Sequence, residues 1–181
     1  MNSEYTIYLA LGSNRGDRRK NMEEALSKIE KRIGNITARS TFHQTRPVGF
    51  QSENMFINSV CEVVTRISIN DLLSITQEIE RETGRTHKSK NGEYADRTID
   101  IDLILAGDRV IDTPTLTLPH PRCHTRTFVL DPLCEIAPHL IHPLSGKTVT
   151  ELRAELEEER NSNQQQKENS KKNPIFVQQN I

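Results

Sequence analysis

Two aspartates, Asp100 and Asp102, stand two residues apart in the run Asp96-Arg97-Thr98-Ile99-Asp100-Ile101-Asp102-Leu103-Ile104-Leu105. Ile99, Ile101, Leu103 and Leu105 alternate with Thr98, Asp100, Asp102 and Ile104, the period of a strand with unlike faces. On such a strand the two carboxylates point the same way, roughly 6.5–7 Å apart. Like charges that close repel in a half-buried strand unless a cation lies between them. A hard divalent ion such as Mg²⁺ takes one or two carboxylates and leaves its other positions to water and phosphate oxygens. Asp-x-Asp occurs often by chance, so the metal reading rests on what surrounds it. Just upstream, Arg85 to Asp96 is polar, carries Arg85, His87, Lys88 and Lys90, and reads as a lid that closes on phosphate charge.

The elements that must position this pair follow from periodicity. Residues 5–11 read as a buried strand closed by a tight Gly12-Ser13-Asn14 turn. Met22, Ala25, Leu26, Ile29 and Ile33 make one face of a helix that starts at Asp17 and stops at Gly34. Ile36 to Gln44 is strand-like, and Thr45 to Asn54 is a loop marked by Pro47 and Gly49. Met55 to Thr65 returns as a strand with Phe56, Asn58 and Val60 on one face and Ile57, Ser59, Cys61 and Val63 on the other. Ser68 to Asp71 has capping-box spacing ahead of a helix that ends at Thr83-Gly84. After Leu105 come two short strands forming a hairpin, a Pro119-His120-Pro121 loop and an apolar helix from Thr127. Thr148 and Glu151 form a second capping box, opening a last helix with Leu152 and Leu156. Gly146-Lys147-Thr148 resembles the end of a phosphate-binding loop, but Ile141 stands where such a loop needs glycine.

This order predicts an α+β, ferredoxin-like β-α-β-β-α-β sandwich with an added hairpin and short C-terminal helices, its long helices on one face. The domain is expected over 1–156. Residues 157–181, rich in Asn, Gln, Lys and Glu, are expected to be a polar, disordered tail. With 181 residues and a net charge of −1, the chain is long enough for a real core and has no global pull toward nucleic acid or membrane. Its start does not read as a signal peptide or membrane span. Cys61, Cys123 and Cys134 give neither a disulfide framework nor a zinc motif, and Cys123-His124 near His120 matches no structural zinc spacing. A reducing cytoplasm is the expected location.

Assembled, these residues resemble the 6-hydroxymethyl-7,8-dihydropterin pyrophosphokinase family of folate synthesis. Tyr8 to Asn14 resembles the family's opening strand and Gly-Ser-Asn turn, and Thr45-x-Pro47-Val48-Gly49 its first substrate loop. Phe56-Ile57-Asn58 resembles the aromatic-x-Asn of the pterin pocket. Gly84-Arg85 and Arg97-x-x-Asp100-x-Asp102 resemble the nucleotide and magnesium site, the most specific of these motifs. Pro119-His120 and Arg126-x-Phe128 resemble later ATP and pterin contacts. The resemblance implies transfer of the diphosphate of ATP to the hydroxymethyl group of the dihydropterin, with AMP released. It implies Arg85, Arg97 and Asp102 as catalytic, and Asp100 and Asp102 as ligands of two Mg²⁺ ions. Arg85, Arg97, His120, Arg126 and Tyr94 would contact ATP; Thr45, Val48, Phe56, Asn58 and Phe128 would contact the pterin. The implied partners are these two small molecules, with neither nucleic acid nor membrane, and the protein is expected to be a monomer or weak dimer. The chain departs from the family at three points. It has no Trp for the mobile loop, with Tyr94 nearest that place; Glu93 replaces a usual basic residue; and Asp96 replaces the common small residue or Pro before the arginine. The last two add carboxylates that bear on ATP affinity and lid closure.

Two other functions start from the same strand. A palm-like nucleotidyl transferase or nuclease also uses an Asp-x-Asp pair, but needs a basic groove that the charge balance does not suggest. A non-catalytic ligand-binding module would leave the carboxylates and arginines on one side of the domain without a purpose.

Overall fold

Four long stretches of the chain meet in one antiparallel sheet, in a computed structural model that describes residues 3–48, 51–84 and 96–172, with side chains to 168. β1 (Tyr5–Ser13), β2 (Gly34–Arg39), β3 (His43–Thr45), β4 (Phe56–Thr65) and β5 (Asp100–Ala106) lie in the order β2-β4-β1-β5, and β3 also pairs with β4. β2 lies against Cys61–Thr65 and β3 against Phe56–Asn58, so the two form one edge strand broken at residues 40–42. At the break Ser40 N–H donates to the Val60 carbonyl at 2.9 Å, and Val60 N–H donates to Ser40 Oγ at 3.0 Å, which keeps the ladder closed. With α1 (Arg18–Arg32) between β1 and β2, and α2 (Ile69–Glu82) between β4 and β5, this is the expected ferredoxin-like order.

Both of these helices begin where the sequence provides a cap. Asp17 accepts from Lys20 N–H at 3.0 Å and Ser68 from Asp71 N–H at 3.2 Å. Met22, Ala25, Leu26 and Ile29 of α1 and Leu72 and Ile79 of α2 bury against Ile7, Leu9, Leu11, Cys61, Val63, Ile101 and Leu103 on one sheet face. Among the described residues the opposite face is covered only at one end. There α3 (Thr127–Ile136) and α4 (Val149–Lys172) pack Val129, Leu130, Leu133, Val149 and Leu152 on Tyr8, Val60, Ile104 and Leu105. The other end of that face is open and holds the polar residues. A two-stranded hairpin, β6 (Ile111–Asp112) with β7 (Thr117–Leu118), follows β5.

The structure corrects the sequence reading in four places. β1 runs to Ser13, so Gly12 and Ser13 belong to the sheet and not to a turn. Gly34 does not stop α1 through a left-handed cap; a Cβ there would lie 2.1 Å from the Val64 carbonyl oxygen, so close approach of two backbones demands glycine. A bulge in β5 leaves Ile104 between the Leu9–Leu103 and Tyr8–Leu105 pairs. Leu105 therefore turns to the α3/α4 side with Ile104, and not to the side of Ile101 and Leu103. Finally, α4 is one helix from Val149 to Lys172 where a tail was expected from 157. Glu, Gln, Lys and Arg are strong helix formers, and a helix capped by Thr148, with Arg153 and Glu157 paired at 3.5 Å, propagates through them without a buried face. No helix among the described residues is long and apolar enough to cross a membrane.

Candidate active site

The open end of the second sheet face is a cleft of about 660 Å³. Its floor is fixed by strand register. Gly12 of β1 lies between Asn58 of β4 and Asp100 of β5, and Ala10 lies between Val60 and Asp102. Neighbouring side chains in such rows share a face, so the central strand contributes almost no bulk and the flanking residues rise around a depression. Gly12 leaves room there: a Cβ would lie 3.0 Å from Asn58 Oδ1 and 3.7 Å from Phe56 Cδ1, close enough that the amide would have to shift. Asp100 and Asp102 thus share one face of β5, as the alternation predicts.

Thr45, Val48, Phe56, Asn58, Arg97, Asp100, Asp102, His120, Arg126 and Phe128 all line this one cleft. Arg85 and Tyr94 lie outside the described residues, as does the rest of the expected lid up to residue 95. On the β4 side, Asn58 Nδ2 donates to Thr45 Oγ1 at 2.6 Å, which orients the amide and leaves Oδ1 over Gly12. α3 brings Phe128 to the rim. Glu135, farther along α3, accepts from Thr41 N–H at 2.8 Å and bonds His43 Nε2 at 2.8 Å, anchoring the helix to the edge strand. These bonds hold the Glu135 carboxyl below its usual range, with the His43 contact the largest cause.

On the β5 side each carboxylate faces a guanidinium. Arg97 Nη1 is 2.6 Å from Asp100 Oδ2, and Arg126 Nη1 is 3.9 Å from Asp102 Oδ2. The Arg126 guanidinium also lies 5.4 Å from the Phe128 ring centre, so this arginine links the two halves of the cleft. His120 is placed by the bulge, for its backbone N–H donates to the Ile104 carbonyl at 2.8 Å. Burial, helped by Arg126 and Arg122, pulls its imidazole down to about 4, so the ring is neutral near pH 7. Arg122 N–H donates to His120 Nδ1 at 3.1 Å, so the ring proton sits on Nε2 as a donor.

Asp96 behaves differently from the extra phosphate-repelling charge that the sequence suggests. Its carboxylate accepts from Ser52 Oγ and Asn14 Nδ2, both at 2.7 Å, and from Asn54 Nδ2 at 2.5 Å. These bonds, Ser52 first, hold its pKa below the usual carboxylate value. Asn14 in turn brackets the next residue: Arg97 N–H donates to Asn14 Oδ1 at 2.7 Å, and Asn14 N–H donates to the Arg97 carbonyl at 3.1 Å. One carboxylate therefore ties the loop before β4 to the backbone that presents Arg97. Sequence reasoning also missed Glu80. It is buried on α2, lines the cleft beside Thr76 and Gln77, and accepts from Ile101 N–H at 2.8 Å.

Residues 8–138 match the family of 7,8-dihydro-6-hydroxymethylpterin-pyrophosphokinase, HPPK. The chain belongs to the HPPK family. Relatives named 2-amino-4-hydroxy-6-hydroxymethyldihydropteridine pyrophosphokinase agree. That of Porphyromonas gingivalis is 45% identical over 138 residues, 76% of this chain and 93% of its own. That of Aquifex aeolicus is 38% identical over 150 residues, 83% and 91% of the two chains. Among solved structures, Plasmodium falciparum HPPK-DHPS with pteroate superposes over 86% of this chain and 43% of its own, with TM-score 0.69 and 16% identity. That likeness establishes the HPPK fold alone, and the present chain spans under half of the Plasmodium protein. Membership makes this chain an enzyme, a pyrophosphokinase of folate biosynthesis. It sets aside the palm-like transferase and the non-catalytic module.

Proposed function

We propose that the chain transfers the terminal diphosphate of ATP to the hydroxymethyl oxygen of 6-hydroxymethyl-7,8-dihydropterin, releasing AMP. One observation carries this reading. A carboxylate pair ringed by Arg97, Arg126 and His120 shares a cleft with a notch made of Phe56, Asn58 and Phe128, with only Gly12 between Asn58 and Asp100. A phosphate-handling surface and a flat, amide-matching surface are thereby one strand apart.

In this reading Asn58 Oδ1 accepts from the pterin's amide-like edge, while Thr45 holds the amide in that orientation. Phe56 and Phe128 contact the ring faces, and Val48, 63% exposed, lies at the rim where the ring enters. Arg97 and Arg126 turn from the carboxylates toward phosphate oxygens, and His120 Nε2–H donates to the same charge. Asp100 and Asp102 supply only oxygen donors on one strand face, the set a hard cation prefers, so they fit magnesium. When bound, two Mg²⁺ ions would offset phosphate charge and acidify the attacking hydroxyl. The residues then act mainly by holding the hydroxymethyl oxygen and the β-phosphorus in line. The test is nucleotide analysis after incubation with Mg²⁺ and ATP, with and without the dihydropterin. AMP formed only with the pterin is expected; ADP or free pyrophosphate as product would overturn the reading.

A further inference from the structure

Outside the cleft, three side chains with metal-binding atoms converge from two distant stretches. Cys123 and His124 open the short 3-10 turn Cys123–Thr125, and His142 comes from the segment between α3 and α4. Their ligand atoms all lie within 4.8 Å of one another. His142 is held in place by its backbone, whose N–H donates to the Lys147 carbonyl at 2.8 Å and whose carbonyl accepts from Gly146 N–H at 2.9 Å. The His124 and His142 rings meet edge to face with centres 6.2 Å apart.

A second observation points to a missing partner. His142 is only 7% exposed, and its Nε2 is buried with no hydrogen-bond partner among the described residues. Buried polar atoms are ordinarily satisfied, and leaving one unmet is costly. Cys123, 2% exposed, is the sulfur beside it. One thiolate with two imidazoles is a donor set that suits zinc and related transition metals and does not suit magnesium.

We propose that Cys123, His124 and His142 form a second, transition-metal site, taking zinc or an ion of similar chemistry, with one coordination position left to water. Bonds of 2.0–2.3 Å at tetrahedral angles put ligand atoms about 3.5 Å apart. The three atoms must therefore draw together by at most about 1.3 Å from their outer limit of 4.8 Å. The exposed His124 side chain can supply its own share of that movement, and the His142 ring the rest. A metal on His142 Nε2 moves the ring proton to Nδ1, which now accepts from Ser145 N–H at 3.3 Å. That long bond is given up, and the exposed turn through Gly146, which has φ +69°, accommodates it. The Cys123 proton leaves to solvent on binding.

The position gives the site a purpose. Cys123 N–H donates to the His120 carbonyl at 3.0 Å, and Leu130 N–H donates to the Arg126 carbonyl at 2.9 Å. The turn thus connects two cleft residues, and a metal would staple it to the segment leading into α4. This does not depend on the proposed reaction, since the cleft and the cysteine cluster share no ligand.

The test is titration of metal-free protein with Co²⁺ in the presence of excess Mg²⁺, which keeps the oxygen donors of the cleft occupied. Expected is a thiolate-to-cobalt charge-transfer band that saturates at one equivalent and is displaced by Zn²⁺. Cys123→Ser should abolish the band, and Cys134→Ser should leave it intact. His124→Ala, at an exposed side chain, should raise the Kd for Zn²⁺ at least tenfold and shrink the zinc-induced rise in Tm. No thiolate band at one equivalent, or a band that survives Cys123→Ser, would overturn the site.

Discussion

Gly12→Ala tests whether the pterin lies where the register puts it. The added Cβ would lie 3.0 Å from Asn58 Oδ1 and 3.7 Å from Phe56 Cδ1. The amide must give by a few tenths of an ångström, and it is held on its other side by the 2.6 Å bond to Thr45. Displacing it breaks either that bond or its match to the pterin edge, and leaves a buried polar group unpaired. The cost is about 1–3 kcal/mol, roughly 5- to 150-fold in the Kd for the dihydropterin. Gly12 has no left-handed backbone to strain. Alanine also narrows the unfolded ensemble, by about 0.4–1 kcal/mol, which offsets part of that cost, so the variant should stay folded by circular dichroism. Calorimetry with the dihydropterin and a non-hydrolysable ATP analogue reads the loss, and titration with the nucleotide alone serves as control. Pterin affinity within twofold of the parent would refute the assignment of Asn58, and an equal loss for nucleotide alone would refute the division of the cleft.

Asp100→Ala and Asp102→Ala should each lower kcat by about 10²–10³-fold while the chain stays folded, as steady-state rates at saturating Mg²⁺ and circular dichroism will report. Near-parental rates would remove these carboxylates from the reaction. Asp96→Ala withdraws an acceptor from three side-chain donors. At a partly exposed site this should cost about 1–2 kcal/mol, roughly 2–8 °C in Tm, with KM for the pterin rising more than kcat falls. A Tm unchanged from the parent would mean that the Asp96 carboxylate does not hold the loop. Stability should fall with pH from 6.5 to about 4, because the unfolded chain gains a proton on His120 that the folded chain, titrating at about 4, refuses. Urea unfolding at pH 7, 5.5 and 4.5 should show a shallower fall for His120→Gln; parallel curves would contradict the buried neutral ring.

Local chemistry on single elements was legible in the sequence. The alternation of Asp100 to Leu103 set both carboxylates on one face, and the same period put Phe56, Asn58 and Val60 together on β4. The period failed at Leu105 because a bulge is set by the partner strand's register, which no single strand encodes. Glu80 left a signal that passes easily for surface charge. It stands four residues after Thr76 and eight after Leu72, on the stripe that α2 buries. Asp96 and Asn14 are 82 residues apart, so their pairing exists only once β1 and β5 are neighbours. His142 reaches Cys123 across the whole of α3, a spacing that no short motif describes.

Among the described residues β5 ends the sheet, so its outer rim is a row of backbone groups that another strand could zip onto. At Ile101 that rim is taken by the Glu80 carboxylate, and at Ile104 by the His120 N–H. The same two residues line the cleft. Residues of the cleft lining thus double as a guard against chain-to-chain β-pairing and aggregation. Glu80→Ala therefore loses solubility along with any contribution to turnover, whereas His120→Ala, which keeps its backbone donor, loses only what the imidazole does.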